Sequence, residues 1–366
     1  MNTLHKIYNE SSINMKGVGD ETVDLVVTSP PYPMVEMWDE CFKSQSIFVE
    51  QAFDKEMYNQ AWLEMHYVLN KVWKEIVRVV KPGGFVCINI GDATRTFDGD
   101  FQLFSNHSKI IQYFIENGFV CLPDILWRKR TNAPNKFMGS GMYPAGAYVT
   151  FEHENILVFR KGGKRTFTEE QKKIRQESAY FYNERNIWFS DVWEVMGTTQ
   201  KGVKGSRERS GAYPFEIPYR LINMYSIKGD TVLDPFGGLG TTLMAAIQSE
   251  RNSISFEIDK SLCDYMTQRV LDEKNWYKKI SDRLDNQEVH IKAEKDKGKD
   301  KFYLNDSLNR EVKTKQEMKI VFNTPCKCSI KKGENNCDTE IEIWYQNYFK
   351  YIEELKEKEM SLCGLI

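Results

Sequence analysis

Thr231-Val232-Leu233-Asp234-Pro235-Phe236-Gly237-Gly238-Leu239-Gly240-Thr241-Thr242 is the stretch that decides the fold. An apolar run closing on an acid, a glycine-rich turn and an apolar stretch after a threonine pair read as strand, loop and helix, the helix over 241–248. Glycines let the turn pass close to a ligand, and the helix start offers free backbone N–H groups. The next strand, over 253–257, closes on a second acid, Glu257, placed to accept hydrogen bonds from two ribose hydroxyls. A Walker loop needs Gly-Lys-Ser/Thr, and no lysine stands here. The dinucleotide pattern starts at Gly238-Leu239-Gly240 but meets Leu243 where its third glycine belongs. A tight structural turn alone does not account for acids at both strand ends. A nucleoside cofactor bound without a phosphate cradle fits best.

Outward from this loop, strands and helices alternate. A helix is predicted near 218–225, followed by the turn Lys228-Gly229-Asp230. Near the start, residues 23–27 read as a strand that ends abruptly in Ser29-Pro30-Pro31, because two prolines cannot continue a ladder. Ala61, Met65, Val68, Val72, Ile76 and Val80 form a helical stripe over about 56–80, stopped by Pro82-Gly83-Gly84. Strands follow at 85–90, 124–127 and 155–159, with a helix at 108–117 closed by Gly118. The alternation predicts an α/β fold with a doubly wound, mostly parallel sheet. The pattern weakens from Gly162 to about Ser210. After about Asn275 come a charged linker over 292–299, a short mixed segment and a terminal helix over 345–359. The expected division is a first part of the core over 1–161, an insertion over 162–209, the cofactor-binding part over 210–275 and a C-terminal extension over 276–366.

The 366 residues carry a net charge of -2, so bulk charge does not announce a nucleic-acid partner. Distribution says more. Arg128, Lys129, Arg130, Lys136, Arg160, Lys161, Lys164 and Arg165 stand against only Glu152 and Glu154, and Lys201, Lys204, Arg207 and Arg209 form a second basic stretch. Local excess of this kind can follow a phosphate backbone, although solvated basic faces are common. No apolar run is long enough to span a bilayer and the start lacks a signal-peptide core, so a cytoplasmic protein is expected. The 8 cysteines have no disulfide-like spacing. Cys326, Cys328 and Cys337 lack a nearby histidine and make an incomplete zinc set, so no metal is expected. His107 and His153 have no nucleophile arranged around them and read as ordinary polar residues.

Thr28-Ser29-Pro30-Pro31-Tyr32 carries the second chemistry. Its prolines remove N–H donors and leave carbonyl acceptors facing outward. The amino nitrogen of a base is a poor nucleophile, its lone pair delocalised into the ring. The Ser29 hydroxyl and the Pro30 carbonyl can accept both amino hydrogens and free that lone pair, while Tyr32 offers a face for an extruded base. The bland reading is a rigid turn with a packed tyrosine.

With both stretches in view, the chain resembles the amino-methyltransferases of DNA restriction–modification systems. It is similar to the permuted branch, in which the Pro-Pro-Tyr motif precedes the S-adenosylmethionine motif. The resemblance covers residues 1 to about 275, apart from 162–209, and implies the Rossmann-like fold of class I methyltransferases. It implies catalytic roles for Ser29, Pro30, Pro31 and Tyr32. It places S-adenosylmethionine on Asp234, Pro235, Phe236, Gly237, Gly238, Gly240, Thr241, Thr242 and Glu257. Where the family often has Gly-Asp-Ser, this chain has Asn9-Glu10-Ser11, and Glu10 is taken to face the adenine. Serine at the head of the catalytic motif mostly accompanies cytosine N4 in this family, and Asp or Asn mostly accompanies adenine N6, a family tendency and not a physical derivation. The implied partners are double-stranded DNA, with one base flipped, and a cognate restriction endonuclease. Target recognition is expected within 162–209 (Arg165, Phe167, Tyr180, Tyr182, Trp188, Trp193, Lys201, Lys204), shared with the tail, although each aromatic taken singly is more often core than contact. Methylation of adenine N6, methylation of RNA and a non-catalytic DNA-binding scaffold stand as alternatives.

Overall fold

A computed structural model describes residues 2–129, 138–197, 213–334 and 337–362. Its main strands are β1 (Asn2–Tyr8), β2 (Val23–Thr28), β3 (Val80–Ile90), β4 (Phe119–Arg128), β5 (His153–Lys161), β6 (Val192–Trp193), β7 (Thr231–Asp234), β8 (Asn252–Phe256), β9 (Asn323–Lys332) and β10 (Thr339–Asn347). The helices that matter are α1 (Tyr58–Val79), α2 (Asn106–Glu116), α3 (Glu169–Glu177), α4 (Tyr182–Trp188), α5 (Glu216–Tyr225), α6 (Thr241–Gln248), α7 (Lys260–Asp272), α8 (Trp276–Asp296) and α9 (Tyr348–Leu362). The chain divides into two compact units: Met1–Glu10, Thr166–Ser190 and Pro218–Ile366 form the first, and Ser11–Arg165 and Asp191–Ile217 the second.

In the first unit the strand order is β7-β8-β1-β10-β9. β7, β8 and β1 pair in parallel, and β10 lies antiparallel to both β1 and β9. In the second unit the order is β6-β4-β5-β3-β2. β2 pairs in parallel with β3 and β6 with β4, while β5 runs antiparallel between β3 and β4. Four of the five strands in each unit therefore point one way, the mostly parallel pattern that the alternation predicts and the Rossmann-like fold that the resemblance implies. Every residue of β2 is buried, and its apolar run over 25–27 suits a parallel strand covered on both faces. The stripe of α1 buries Ala61, Met65, Val68, Val72 and Ile76, a helical period meeting a core.

Three local expectations change. Pro82-Gly83-Gly84 does not separate helix from strand, because β3 already begins at Val80. The pairing with β2 jumps from Val23–Val80 to Leu25–Phe85, so the three residues, with Lys81, form a bulge. Gly83, at φ +79°, supplies the left-handed turn, and a Cβ there would lie 2.8 Å from the backbone of Arg165. Residues 292–296 of the expected linker are the last turns of α8, which buries Ile280, Leu284, Gln287 and Ile291 at four-residue and near-four-residue spacing. Its wide polar face disguised that stripe. The weakly patterned stretch after Gly162 contains α3, opened by a Thr168–Gln171 capping box, and α4.

Phe181, ahead of α4, joins Ile280, Leu284, Leu308, Val312, Ile320, Phe322 and Tyr348 in one core. Trp188 and Trp193, counted above among the candidates for DNA contact, are buried side chains, the reading favoured for each aromatic taken singly. Lys201 and Lys204 lie outside the described residues, as do Arg130, Lys136, Arg207 and Arg209. Among the described residues no helix is long and apolar enough to cross a membrane, and no group of three or more His, Cys, Asp or Glu side chains is placed to hold a metal ion.

Candidate active site

In the first unit three parallel strands end at one edge, and an acid stands at or just past each end. Asp234 closes β7, Glu257 follows β8 and Glu10 stands two residues past β1. The carboxyl edge of such a sheet is where α/β folds bind ligands. The glycine loop leaves β7 there. The backbone N–H of Phe236 donates to Asp234 Oδ1 at 3.1 Å. The N–H of Gly237 reaches the Phe256 carbonyl at 2.8 Å and that of Gly240 the Gly237 carbonyl at 2.8 Å. Gly240 caps α6 at φ +73°, ψ +29°, and Thr241 and Thr242 begin the helix, both buried. A Cβ on Gly240 would stand 2.6 Å from Met266 Cγ of α7. Glycine is required here both by conformation and by space.

Glu257 is held by backbone. Its two carboxylate oxygens accept from the N–H groups of Gly238 and Asp259, each at 2.9 Å. The Asn9 amide donates to the Glu257 carbonyl at 3.0 Å, tying the segment that carries Glu10 to the same edge. Burial pushes the Glu257 carboxyl up from its ordinary value. The loop N–H that a phosphate would need at Gly238 is thus taken by a carboxylate, and two more acids share the edge. Such a set repels phosphate and suits a cationic, hydroxyl-bearing nucleoside; S-adenosylmethionine fits that description. Sequence reading did not single out Met266 or Arg269, whose guanidinium donates to the Leu239 carbonyl at 2.8 Å and closes the back of the loop.

In the second unit Ser29-Pro30-Pro31-Tyr32 leaves the carboxyl end of β2, beside the end of β3. The Tyr32 ring rests on Gly91, where a Cβ would come within 2.9 Å of it. The Tyr32 hydroxyl lies 3.0 Å from Ser29 Oγ and donates to Glu154 Oε2 at 2.9 Å. Asn89 Nδ2, from β3, donates to the Tyr32 hydroxyl and to Glu154 Oε2, each at 2.7 Å. Lys129 Nζ binds the other oxygen, Glu154 Oε1. Asn89 and Glu154 are buried. Burial first, and the Glu154 carboxylate next, push the Tyr32 phenol well above its ordinary range. Tyr32 therefore keeps its proton at neutral pH.

The structure brings Ser29, Pro30, Pro31 and Tyr32 into one turn of the second unit, and Asp234, the glycine loop, Glu257 and Glu10 to one edge of the first. Asn89, Glu154, Lys129 and Gly91 went unassigned in sequence. The signal lay in Glu154: a carboxylate opening the apolar run 156–159 has to be partnered when buried.

Matches to known proteins bear on the family, the fold and the cofactor. The chain belongs to the DNA methylase family of N6/N4 amino-methyltransferases, whose model matches residues 23–268. These are S-adenosylmethionine-dependent DNA amino-methyltransferases of the restriction–modification type. The chain is 46% identical over 366 residues to type II methyltransferase M.MthZI of Methanothermobacter thermautotrophicus, covering 99% of each chain. It is 50% identical over 280 residues to type II methyltransferase M.MjaI of Methanocaldococcus jannaschii, covering 73% of this chain and 91% of that one. A solved putative DNA modification methylase of Thermus thermophilus, complexed with S-adenosyl-L-methionine, shares 28% identity at a TM-score of 0.56, over 72% of this chain and 94% of that one. The cytosine-N4-specific PvuII DNA methyltransferase shares the fold, with a TM-score of 0.53 at 21% identity over 77% of this chain and 93% of that one.

Proposed function

We propose that this protein moves the methyl group of S-adenosylmethionine to the N4 amino group of cytosine in double-stranded DNA, on a base turned out of the duplex. The observation that carries the reading is Ser29 itself. A hydroxyl, not a carboxylate or an amide, heads the turn beyond β2 and meets the half-buried Tyr32 hydroxyl at 3.0 Å. In the family that the motif order resembles, serine at this position mostly accompanies cytosine.

Chemistry is divided between the two edges. When bound, the cofactor supplies an electrophilic methyl on a sulfonium. Glu257 and Glu10 take the ribose and adenine, and the glycine loop lets the nucleoside approach the start of α6. Ser29 Oγ and the Pro30 carbonyl accept the hydrogens of the base amine, drawing its lone pair out of the ring. Tyr32 presents its ring to the flipped base. No residue needs to abstract a proton before attack; orientation carries much of the acceleration. A cognate restriction endonuclease for the same site is part of the proposal.

The test is transfer of labelled methyl to plasmid DNA, followed by digestion to nucleosides. N4-methylcytosine supports the reading. N6-methyladenine changes the base, label confined to RNA removes DNA, and DNA binding without label leaves a scaffold.

A further inference from the structure

We infer that Glu154 and Lys129 are positioning residues that fix the direction of the hydrogen bonds at the catalytic turn, so that Ser29 can only accept from the base amine. The inference rests on the proposed role of Ser29, not on which base is methylated.

Hydrogen counting carries it. As a carboxylate, Glu154 has acceptors and no donor. Oε1 is held by the Lys129 ammonium, and Oε2 receives both Asn89 Nδ2 at 2.7 Å and the Tyr32 hydroxyl at 2.9 Å. Turning the Asn89 amide over would set its oxygen against the carboxylate, so the amide nitrogen must face it. Both amide hydrogens are then spent on Glu154 and on the Tyr32 oxygen, also 2.7 Å away. The third contact of Nδ2, to Ser29 Oγ at 3.4 Å, is long. Asn89 Oδ1 is left buried with no partner among the described residues.

Tyr32 owns one hydrogen, and Glu154 has it. In the 3.0 Å contact between Ser29 Oγ and the Tyr32 hydroxyl, the donor must then be Ser29. Its single hydrogen is turned inward, and the lone pairs of Oγ are what remain for a ligand. A base amine brings only donors on its two hydrogens, so this direction is the productive one. Reversed, the Tyr32 hydrogen would point at Ser29 and the Ser29 hydrogen outward, against the amine. An acidic side chain two residues removed from the substrate thereby decides whether the serine attracts or repels it.

Glu154→Gln keeps the shape and adds donors, which lets the Tyr32 hydrogen turn towards Ser29. The expected result is a fall in single-turnover methyl transfer of about tenfold or more, with the Kd for S-adenosylmethionine and the KM for DNA within about twofold of wild type. Tyr32→Phe retains the ring but breaks the chain. In a Tyr32→Phe background, Glu154→Gln should add less than about twofold, a non-additivity that a packing defect would not produce. Circular dichroism and cofactor binding check that each variant is folded. Wild-type transfer by Glu154→Gln, or an undiminished Glu154→Gln effect in the Tyr32→Phe background, overturns the inference. Recovery of N6-methyladenine from wild-type reactions would overturn cytosine as the target and leave this inference standing, since either amine needs acceptors.

Discussion

The two strand edges secure their motifs by different means. At the edge formed by β7, β8 and β1, backbone N–H groups hold both oxygens of the Glu257 carboxylate, and the glycine loop is closed by the carbonyls of Phe256 and Gly237. At the end of β2 the chain of contacts runs from side chain to side chain: Ser29, Tyr32, Asn89, Glu154 and Lys129. A backbone frame is insensitive to neighbouring side chains but intolerant of a changed backbone conformation. A side-chain network passes on every substitution made along it. Cofactor binding should accordingly respond to the glycines and Glu257, and methyl transfer to distant side chains.

The largest effect expected from this contrast is at the catalytic turn. Ser29→Ala and Tyr32→Ala should each lower single-turnover transfer about 100-fold or more, because an acceptor or the stacking face is removed where charge develops. Gly91→Ala comes next in effect on transfer. Its Cβ would press the Tyr32 ring from 2.9 Å, and about a tenfold loss of rate is expected with cofactor affinity retained. Equal cofactor loss there would break the contrast.

Gly240→Ala tests the other edge. A left-handed backbone and a Cβ 2.6 Å from Met266 Cγ should destabilise the fold by about 2 kcal/mol or more, read as a lower Tm. Cofactor affinity should fall with it. At neutral pH the smallest effect concerns both units alike. Burial holds His5 of the first unit down to about 3 and His66 of the second down to about 4, against an ordinary 6.5. Both are neutral when folded, so the unfolded chain binds more protons between these values. Stability is full above about 6.5 and falls as pH drops towards 4. Denaturant midpoints across that window check the sign, and His66→Gln should flatten part of the slope.

The cofactor edge was legible in sequence because its determinants are consecutive. Asp234 to Thr242 is one strand end, one turn and one helix start, and the strand and helix bounds come out as 231–234 and 241–248. The network behind Tyr32 was not legible, because Asn89, Lys129 and Glu154 are far apart in the chain and meet only when β3, β4 and β5 pair. β9 and β10 were missed for another reason. Their alternation, with Ile341 and Ile343 buried and Glu342 between them only partly so, is short and sits in a charged region. Trp188 and Trp193 belong to a core, the favoured reading for a single aromatic; an aromatic side chain in a polar stretch looks the same in sequence whether it meets a base or a core.

Calorimetric titration of S-adenosylmethionine into Ser29→Ala, Tyr32→Ala and Glu257→Ala, beside single-turnover rates for the same proteins, examines the division of labour most directly. The expected outcome is wild-type affinity without transfer for the two variants of the turn, and an affinity lowered about tenfold or more for Glu257→Ala, the loss of hydrogen bonds to a charged group. Cofactor affinity weakened to the same degree in all three would contradict it.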